Sequence, residues 1–218
     1  MMNTEHAQVN MLTQQLRAWE VLDQLVLDVI ASTPRDQFVP APYRNLAFAD
    51  MNIPLDHGQV MLTPKEEARI IQALKIQSSE RILEIGTGSG YMTALLAKLG
   101  QHVHSVDIFP EFVQNAQTKF VAMDIENVSV TAVDAVQAWS PKELYDIIVI
   151  TGSLPYLLEN FRQSLKIGGR LFAILGQAPV MKATLLTRVA QGKWPELKLF
   201  ETMVPPLLNA PTPSAFVF

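Results

Sequence analysis

Three glycines and a preceding carboxylate form the strongest chemical signal in this sequence. Glu84 is followed by Gly86, Gly88 and Gly90 within the segment RILEIGTGSG. Glycines at this spacing let a ligand approach the backbone closely, because they carry no Cβ atom. The spacing G-x-G-x-G differs from the G-x-G-x-x-G of dinucleotide sites, whose third glycine allows close helix–strand packing beneath a pyrophosphate. The motif therefore predicts a ligand-binding loop that does not suit a dinucleotide.

The charge on Glu84 narrows the choice of ligand further. A carboxylate placed near the phosphates of a dinucleotide would repel them, so a nicotinamide oxidoreductase is the disfavoured alternative. The same carboxylate would attract a ligand that carries an ammonium and a sulfonium and has no phosphate. S-Adenosylmethionine has this chemistry, and we predict it as the cofactor.

Two downstream carboxylates fit the same ligand. Asp107 ends the next predicted strand and can accept hydrogen bonds from both ribose hydroxyls, each worth about 1.5–3 kcal/mol. Asp134 follows the third predicted strand, where it can accept from the adenine amine. Open α/β sheets bind ligands at the carboxyl ends of their strands. The predicted cofactor site is completed by the neighbours of these acids and of the glycines, namely Thr87, Ile108 and Ala135.

These residues need a scaffold that brings separate strand ends together. A predicted strand over 82–85 is followed by a helix with apolar residues on one face. Further predicted strands are HVHSVDI, VSVTAV, YDIIVIT and RLFAIL, and a short connection joins ATLLTRVA to KLFETMV, which indicates an antiparallel pair. The pattern predicts an α/β fold with a doubly wound, mainly parallel, seven-stranded Rossmann-like sheet, an antiparallel edge and an N-terminal helical and irregular extension.

The N-terminal part lacks the alternation of strands and helices that is predicted for the rest of the chain. Helical periodicity extends over 5–32, and an irregular covering segment rich in Pro, Asn and Asp follows it. Thr63 then begins a helix as its N-cap, with Glu66 closing a capping box. We therefore predict an N-terminal helical and lid segment over 1–62, packed on a cofactor-binding Rossmann-like domain over 63–218.

Composition excludes several classes of function. The 218 residues carry a net charge of −4 without a Lys/Arg cluster, so we expect no nucleic-acid partner. No apolar run approaches the roughly 20 residues that span a bilayer, so we expect no membrane association. There is no cysteine, and the start MMNTEHAQVN lacks the features of a secretory signal, so we predict a cytoplasmic protein. Of the four histidines, His102 and His104 alternate within a predicted strand, which spaces them poorly for a metal, and we expect none.

Five blocks of the sequence resemble one known family in family order. They are PRDQFVP, AFADMNIPLDHGQ, RILEIGTGSGYMTALLA, YDIIVITGSLP and LKIGGRLFAILG. From about residue 10 to the tail, the chain resembles the protein-L-isoaspartate O-methyltransferases. The resemblance implies a methyltransferase domain and a cytosolic repair enzyme. Such an enzyme methylates the α-carboxylate of isoaspartyl residues in damaged proteins or peptides, and a small carboxylate is the alternative acceptor. The oligomeric state is not indicated.

The chain departs from the family pattern at the expected acceptor side. The family usually reads GQTIS-x-P, with the serine close to the transferred methyl and the substrate carboxylate, whereas this chain reads GQVMLTP. Leu62 thus stands at the position of the serine and Val60 at that of the threonine. With His57 and Gln59, they form the predicted substrate side.

The departure leaves three functions open. The first is isoaspartyl methylation. It needs no general base, because a carboxylate with a pKa near 4 is already ionised, and we assign no catalytic residue. The second is a methyltransferase with a different, more apolar acceptor, and the third is a non-catalytic S-adenosylmethionine-binding protein. The replacement by Leu62 predicts weak or absent isoaspartyl activity with intact cofactor binding.

Overall fold

A seven-stranded sheet forms the centre of the protein, whose computed structural model describes residues 4–138, 140 and 143–212. In chain order its strands are β3 (Arg81–Ile85), β4 (His102–Asp107), β5 (Val128–Ala132), β6 (Tyr145–Leu154), β7 (Leu165–Gln177), β8 (Val180–Thr187) and β9 (Glu196–Thr202). They lie in the order β5-β4-β3-β6-β7-β8-β9. Strands β3 to β7 are parallel, and β8 and β9 are antiparallel. The predicted fold class, a doubly wound sheet with an antiparallel edge, is confirmed.

Six α-helices and a small two-stranded sheet surround this centre in the described part of the chain. The helices are α1 (Thr4–Asn10), α2 (Gln24–Ala31), α3 (Pro64–Leu74), α4 (Tyr91–Leu99), α5 (Pro110–Ala122) and α6 (Glu159–Gln163). The antiparallel strands β1 (Ile53–Pro54) and β2 (Val60–Met61) form the small sheet. The capping box is present at α3: the Glu66 amide donates to the Thr63 hydroxyl, and the Thr63 amide donates to the Glu66 carboxylate at 2.9 Å. No helix within the described ranges is long and apolar enough to cross a membrane.

The central strands are buried on both faces. Ile82 of β3 belongs to one apolar cluster and the next residue, Leu83, belongs to a second cluster. Ile147 and Ile148 of β6 divide in the same way. Successive side chains of a strand point to opposite faces, so each cluster marks one covered face of the sheet. This two-sided burial explains why these strands read as continuous apolar runs.

The segment with helical periodicity over 5–32 is helical on both sides of a break at residues 20–23. Glu20 adopts a left-handed conformation with φ of 60°, and Asp23 begins the new helix α2 as its N-cap. The side chain of Gln72 in α3 accepts hydrogen bonds from the amides of Leu22 and Asp23, at 2.8 and 3.0 Å, and donates to the Glu20 carbonyl at 2.9 Å. A distant side chain therefore satisfies the backbone at the break, which periodicity alone does not reveal.

The covering segment, residues 35–62, packs on the helices beside the glycine loop. Phe38 is fully buried, and its ring meets that of Tyr91 in α4 edge-on, with centroids 5.4 Å apart. Lys119 of α5 donates to the carbonyl oxygens of Phe38 and Ser89 at 3.1 and 3.0 Å. One apolar cluster continues from this segment into the main sheet, so the boundary after residue 62 stays a prediction.

Candidate functional site

A cavity that is partly open to solvent lies at the carboxyl ends of the central parallel strands. At this edge β3 has β4 on one side and β6 on the other, so the strand order reverses there. Such a switch point is where open α/β sheets bind ligands. The small sheet and a C-terminal segment complete the wall of the cavity. Among the described residues, no group of three or more His, Asp or Glu could hold a metal ion.

Gly86 is required by close packing in the loop between β3 and α4. It has φ of +97°, and a Cβ atom at this position would lie 2.3 Å from the Thr151 hydroxyl. That hydroxyl is 2.7 Å from the Gly86 carbonyl oxygen and 3.0 Å from that of Ile85, which ties the loop to β6. Gly86, Thr87 and Gly88 line the cavity. Gly90 does not, because it faces Ala116 and Phe120 of α5.

Asp107 lies at the end of β4, in the wall of the cavity. One carboxylate oxygen accepts from the Gly88 amide at 2.9 Å and the other from the Phe109 amide at 3.0 Å. Burial raises the pKa of Asp107, while these backbone donors oppose the rise. Each carboxylate oxygen can accept more than one hydrogen bond. The arrangement therefore leaves Asp107 able to accept from two vicinal hydroxyls, and the neighbouring Ile108 also lines the cavity.

Asp134 follows β5 and lines the cavity together with Ala135. Its Oδ1 atom accepts from the amides of Val136 and Gln137 at 2.9 and 3.1 Å. Its Oδ2 atom accepts from the side-chain amide of Asn209 at 2.7 Å. Asp134 therefore links the cavity to the C-terminal segment.

Glu84 does not occupy the position that its charge suggested. It is fully buried and does not line the cavity. Its carboxylate accepts from the hydroxyls of Ser105, at 2.6 Å, and Thr93 of α4, and its Oε1 atom has no hydrogen-bond partner within the described residues. Burial raises the pKa of Glu84 to about 8. The expectation that this carboxylate faces the cofactor ammonium directly is corrected: Glu84 supports the loop from beneath.

The predicted acceptor side is only partly assembled in the cavity. Gln59, Val60 and Leu62 line it, and Leu62 presents a buried apolar side chain there. His57 does not line it. Its ring stacks on that of Phe109 with centroids 3.9 Å apart, and its Nε2 atom lies 3.9 Å from the carboxylate of Glu111.

Two parts of the cavity wall were missed by sequence reasoning. Glu67 of α3 lines the cavity, yet its sequence position reads simply as an acid in the first turn of a helix. Val204, Pro205, Leu207 and Leu208 also contribute to the wall. They are held there because the Ser153 amide donates to the Pro205 carbonyl at 3.0 Å and the Leu207 amide donates to the Ser153 carbonyl at 2.9 Å. No local pattern in the sequence announces these long-range bonds.

The seven-stranded sheet and the cavity at its switch point are those of a Rossmann-like methyltransferase. The chain belongs to the protein-L-isoaspartate O-methyltransferase family: the model of Protein-L-isoaspartate(D-aspartate) O-methyltransferase (PCMT) matches residues 7–207. This confirms the resemblance stated from the sequence blocks.

Individual relatives match over most of their length. A protein-L-isoaspartate O-methyltransferase from Gloeobacter violaceus is 36% identical over 183 residues, covering 84% of this chain and 89% of the relative. One from Rhodopseudomonas palustris is 33% identical over 201 residues, 92% of each chain. A Plasmodium falciparum structure described as a putative enzyme of this kind in complex with S-adenosyl-L-homocysteine has a TM-score of 0.79 and 17% identity, covering 95% of this chain and 99% of that one. The last likeness shows the fold.

Proposed function

We propose that this protein is an S-adenosylmethionine-dependent methyltransferase that acts on the carboxylate of isoaspartyl residues in damaged proteins or peptides, in the cytoplasm. The observation that carries the proposal is a cavity whose wall joins two sets of residues. Asp107 and Asp134, the proposed cofactor residues, line it together with Gln59 and Leu62 of the segment GQVMLTP, the predicted acceptor residues. Family membership supports the same reaction. An apolar acceptor and a non-catalytic binding role are not better supported.

The residues present fit the cofactor. Asp107 would accept from the ribose hydroxyls and Asp134 from the adenine amine, and the backbone at Gly86 and Gly88 would let the ligand approach closely. The bound cofactor would supply an electrophilic methyl group on a sulfonium. The protein would position the acceptor carboxylate, which is already ionised, for the transfer. Positioning of this kind can contribute about 7–11 kcal/mol, so the cavity needs no general base.

The cofactor class predicts a selective stabilisation. S-Adenosylhomocysteine, the demethylated product, should raise the free energy of unfolding by about 1.4 kcal/mol at ten times its dissociation constant. NAD at the same concentration should leave it unchanged, because the G-x-G-x-G loop lacks the third glycine of a pyrophosphate site. Urea denaturation with each ligand measures both effects. Stabilisation by NAD alone would overturn the cofactor assignment.

The acceptor is tested by transfer of a radiolabelled methyl group. A peptide with one isoaspartyl residue should be methylated, whereas the same peptide with a normal aspartyl residue should not. Equal labelling of both peptides, or of neither, would contradict the proposed acceptor.

Leu62→Ser should increase kcat/KM for the isoaspartyl peptide about fivefold, the value of one added hydrogen bond of about 1 kcal/mol. Leu62 lines the cavity, so the new hydroxyl would face the acceptor. Leu62→Ala is the matched control, since it removes a similar apolar volume and adds no donor. If the two variants have the same kcat/KM, a hydroxyl at this position does not hold the acceptor.

A further inference from the structure

Glu67 is a buried acid in the same cavity wall as Leu62. Its residue is 3% exposed, and its carboxylate lies 3.1 Å from Nε and 3.4 Å from Nη2 of Arg35. The Glu67 amide donates to the Thr63 carbonyl at 3.1 Å in the first turn of α3. An ionisable group therefore shares this wall with the apolar side chain that replaces the family serine.

Arg35 connects Glu67 to the backbone at Leu62. It is 1% exposed, and its Nη2 atom donates to the Leu62 carbonyl at 2.6 Å, while Nη1 donates to the Ala47 carbonyl at 2.7 Å. Burying an ion pair costs desolvation of both charges, so such a pair contributes little to stability compared with apolar residues of similar size. Its location at a ligand cavity instead indicates a role in binding.

We propose that the protonated carboxyl group of Glu67 donates a hydrogen bond to the acceptor carboxylate, in place of the hydroxyl that Leu62 lacks. This inference rests on the proposed function and deepens it by naming an acceptor-binding residue. Arg35 neutralises the negative charge that the two carboxyl groups then share. The proton stays between the carboxyl groups, and no bond other than this hydrogen bond forms.

The charges around Glu67 favour this arrangement. Burial raises the pKa of Glu67 to about 7, Arg35 lowers it, and the neighbouring Glu66 raises it. The Tyr91 hydroxyl on α4 also interacts electrostatically with Glu67, and burial raises the pKa of this hydroxyl, so it stays neutral. A second carboxylate beside Glu67 favours one proton shared by the pair, because two like charges cannot both remain ionised there.

A dependence on pH follows. Below the pKa of Glu67, the Arg35–Glu67 pair carries one positive charge, which the acceptor carboxylate neutralises. Above that pKa the pair is neutral, and binding of the acceptor must be accompanied by uptake of a proton. The KM for the acceptor should therefore rise about tenfold for each pH unit above the pKa of Glu67. A serine hydroxyl would give no such dependence, because it does not titrate in this range.

The first test compares the wild type with Glu67→Gln. A glutamine side chain donates a hydrogen bond at every pH and has the same charge as the protonated acid. The KM for an isoaspartyl peptide with blocked termini should rise roughly 50-fold between about pH 7 and about pH 9 in the wild type and stay level in Glu67→Gln. Glu66→Gln, which changes a neighbouring buried acid outside the cavity wall, should keep the tenfold rise per pH unit, with its onset at a lower pH because Glu66 raises the pKa of Glu67. Parallel profiles in the wild type and Glu67→Gln would overturn the inference.

The second test needs no turnover. Binding of the same peptide to the protein saturated with S-adenosylhomocysteine is measured by calorimetry at about pH 8.5, in two buffers of different ionisation enthalpy. The wild type should take up about one proton per peptide, and Glu67→Gln should take up none. Binding to the wild type without proton uptake would overturn the role of Glu67 even if the variant were unstable.

The two failures are distinguishable. Methylation of the peptide with neither a pH-dependent KM nor proton uptake overturns the role of Glu67 alone. Absence of both peptide binding and methylation, with S-adenosylhomocysteine binding intact, overturns the proposed acceptor and this inference together.

Discussion

Replacing Arg35 by methionine is expected to lower the free energy of unfolding by about 3–5 kcal/mol at a pH well above 7, because it leaves the buried carboxylate of Glu67 without its cation. The same change removes the donors to the carbonyl oxygens of Ala47 and Leu62. Methionine is chosen because its unbranched side chain fills much of the same space. Urea denaturation measures the loss directly.

The loss should increase as the pH rises above about 7. The folded pKa of Glu67, about 7, lies above its ordinary value of 4.5, so the folded state holds this proton more tightly than the unfolded state. Stability contributed by the protonated form is therefore lost as the pH rises from the ordinary value through the folded one. Arg35 lowers the folded pKa of Glu67, so this pKa is higher in Arg35→Met. The stability of the variant therefore continues to fall at pH values where that of the wild type no longer does.

The double variant Arg35→Met with Glu67→Leu is the control. It removes both buried charges and should recover most of the stability, since apolar replacements of a whole buried pair are often neutral or stabilising. If the double variant is as unstable as Arg35→Met alone, the lost hydrogen bonds to Ala47 and Leu62 cause the effect, and the charge of Glu67 does not.

Asp107→Ala is expected to weaken the binding of S-adenosylhomocysteine by one to two orders of magnitude, from about 1.5–3 kcal/mol of lost hydrogen bonding to the ribose. The position of Asp107 in the cavity wall at the end of β4 is the basis for this expectation. Calorimetric titration measures the affinity. Asp134→Ala should have a smaller effect, because it removes a single contact, the one to the adenine amine.

Asp107 also accepts from the amides of Gly88 and Phe109, so its removal can disturb the loop as well as the ligand. Urea denaturation of the unliganded variant separates the two effects, because a disturbed loop lowers stability without ligand. Unchanged affinity in Asp107→Ala would exclude this residue from the cofactor site.

Much of the fold and part of the proposed cofactor site could be predicted from local sequence. The alternation of apolar runs and helical periodicity determines a parallel sheet covered on both faces, because each pattern matches the period of its element. Thr63 and Glu66 determine the start of α3 by contacts within one turn. Asp107 and Asp134 could be placed at one cavity because the carboxyl ends of parallel strands meet at the same edge.

Only the tertiary structure decided the rest, since it depends on contacts between residues far apart in the chain. Gln72 satisfies the backbone at the break before α2, and the hydroxyls of Thr93 and Ser105 hold Glu84 beneath the loop rather than in the cavity. Glu67 meets its cation in Arg35, which lies 32 positions earlier. Periodicity and spacing describe neighbours within an element, so they could not reveal which distant side chain would meet a buried charge.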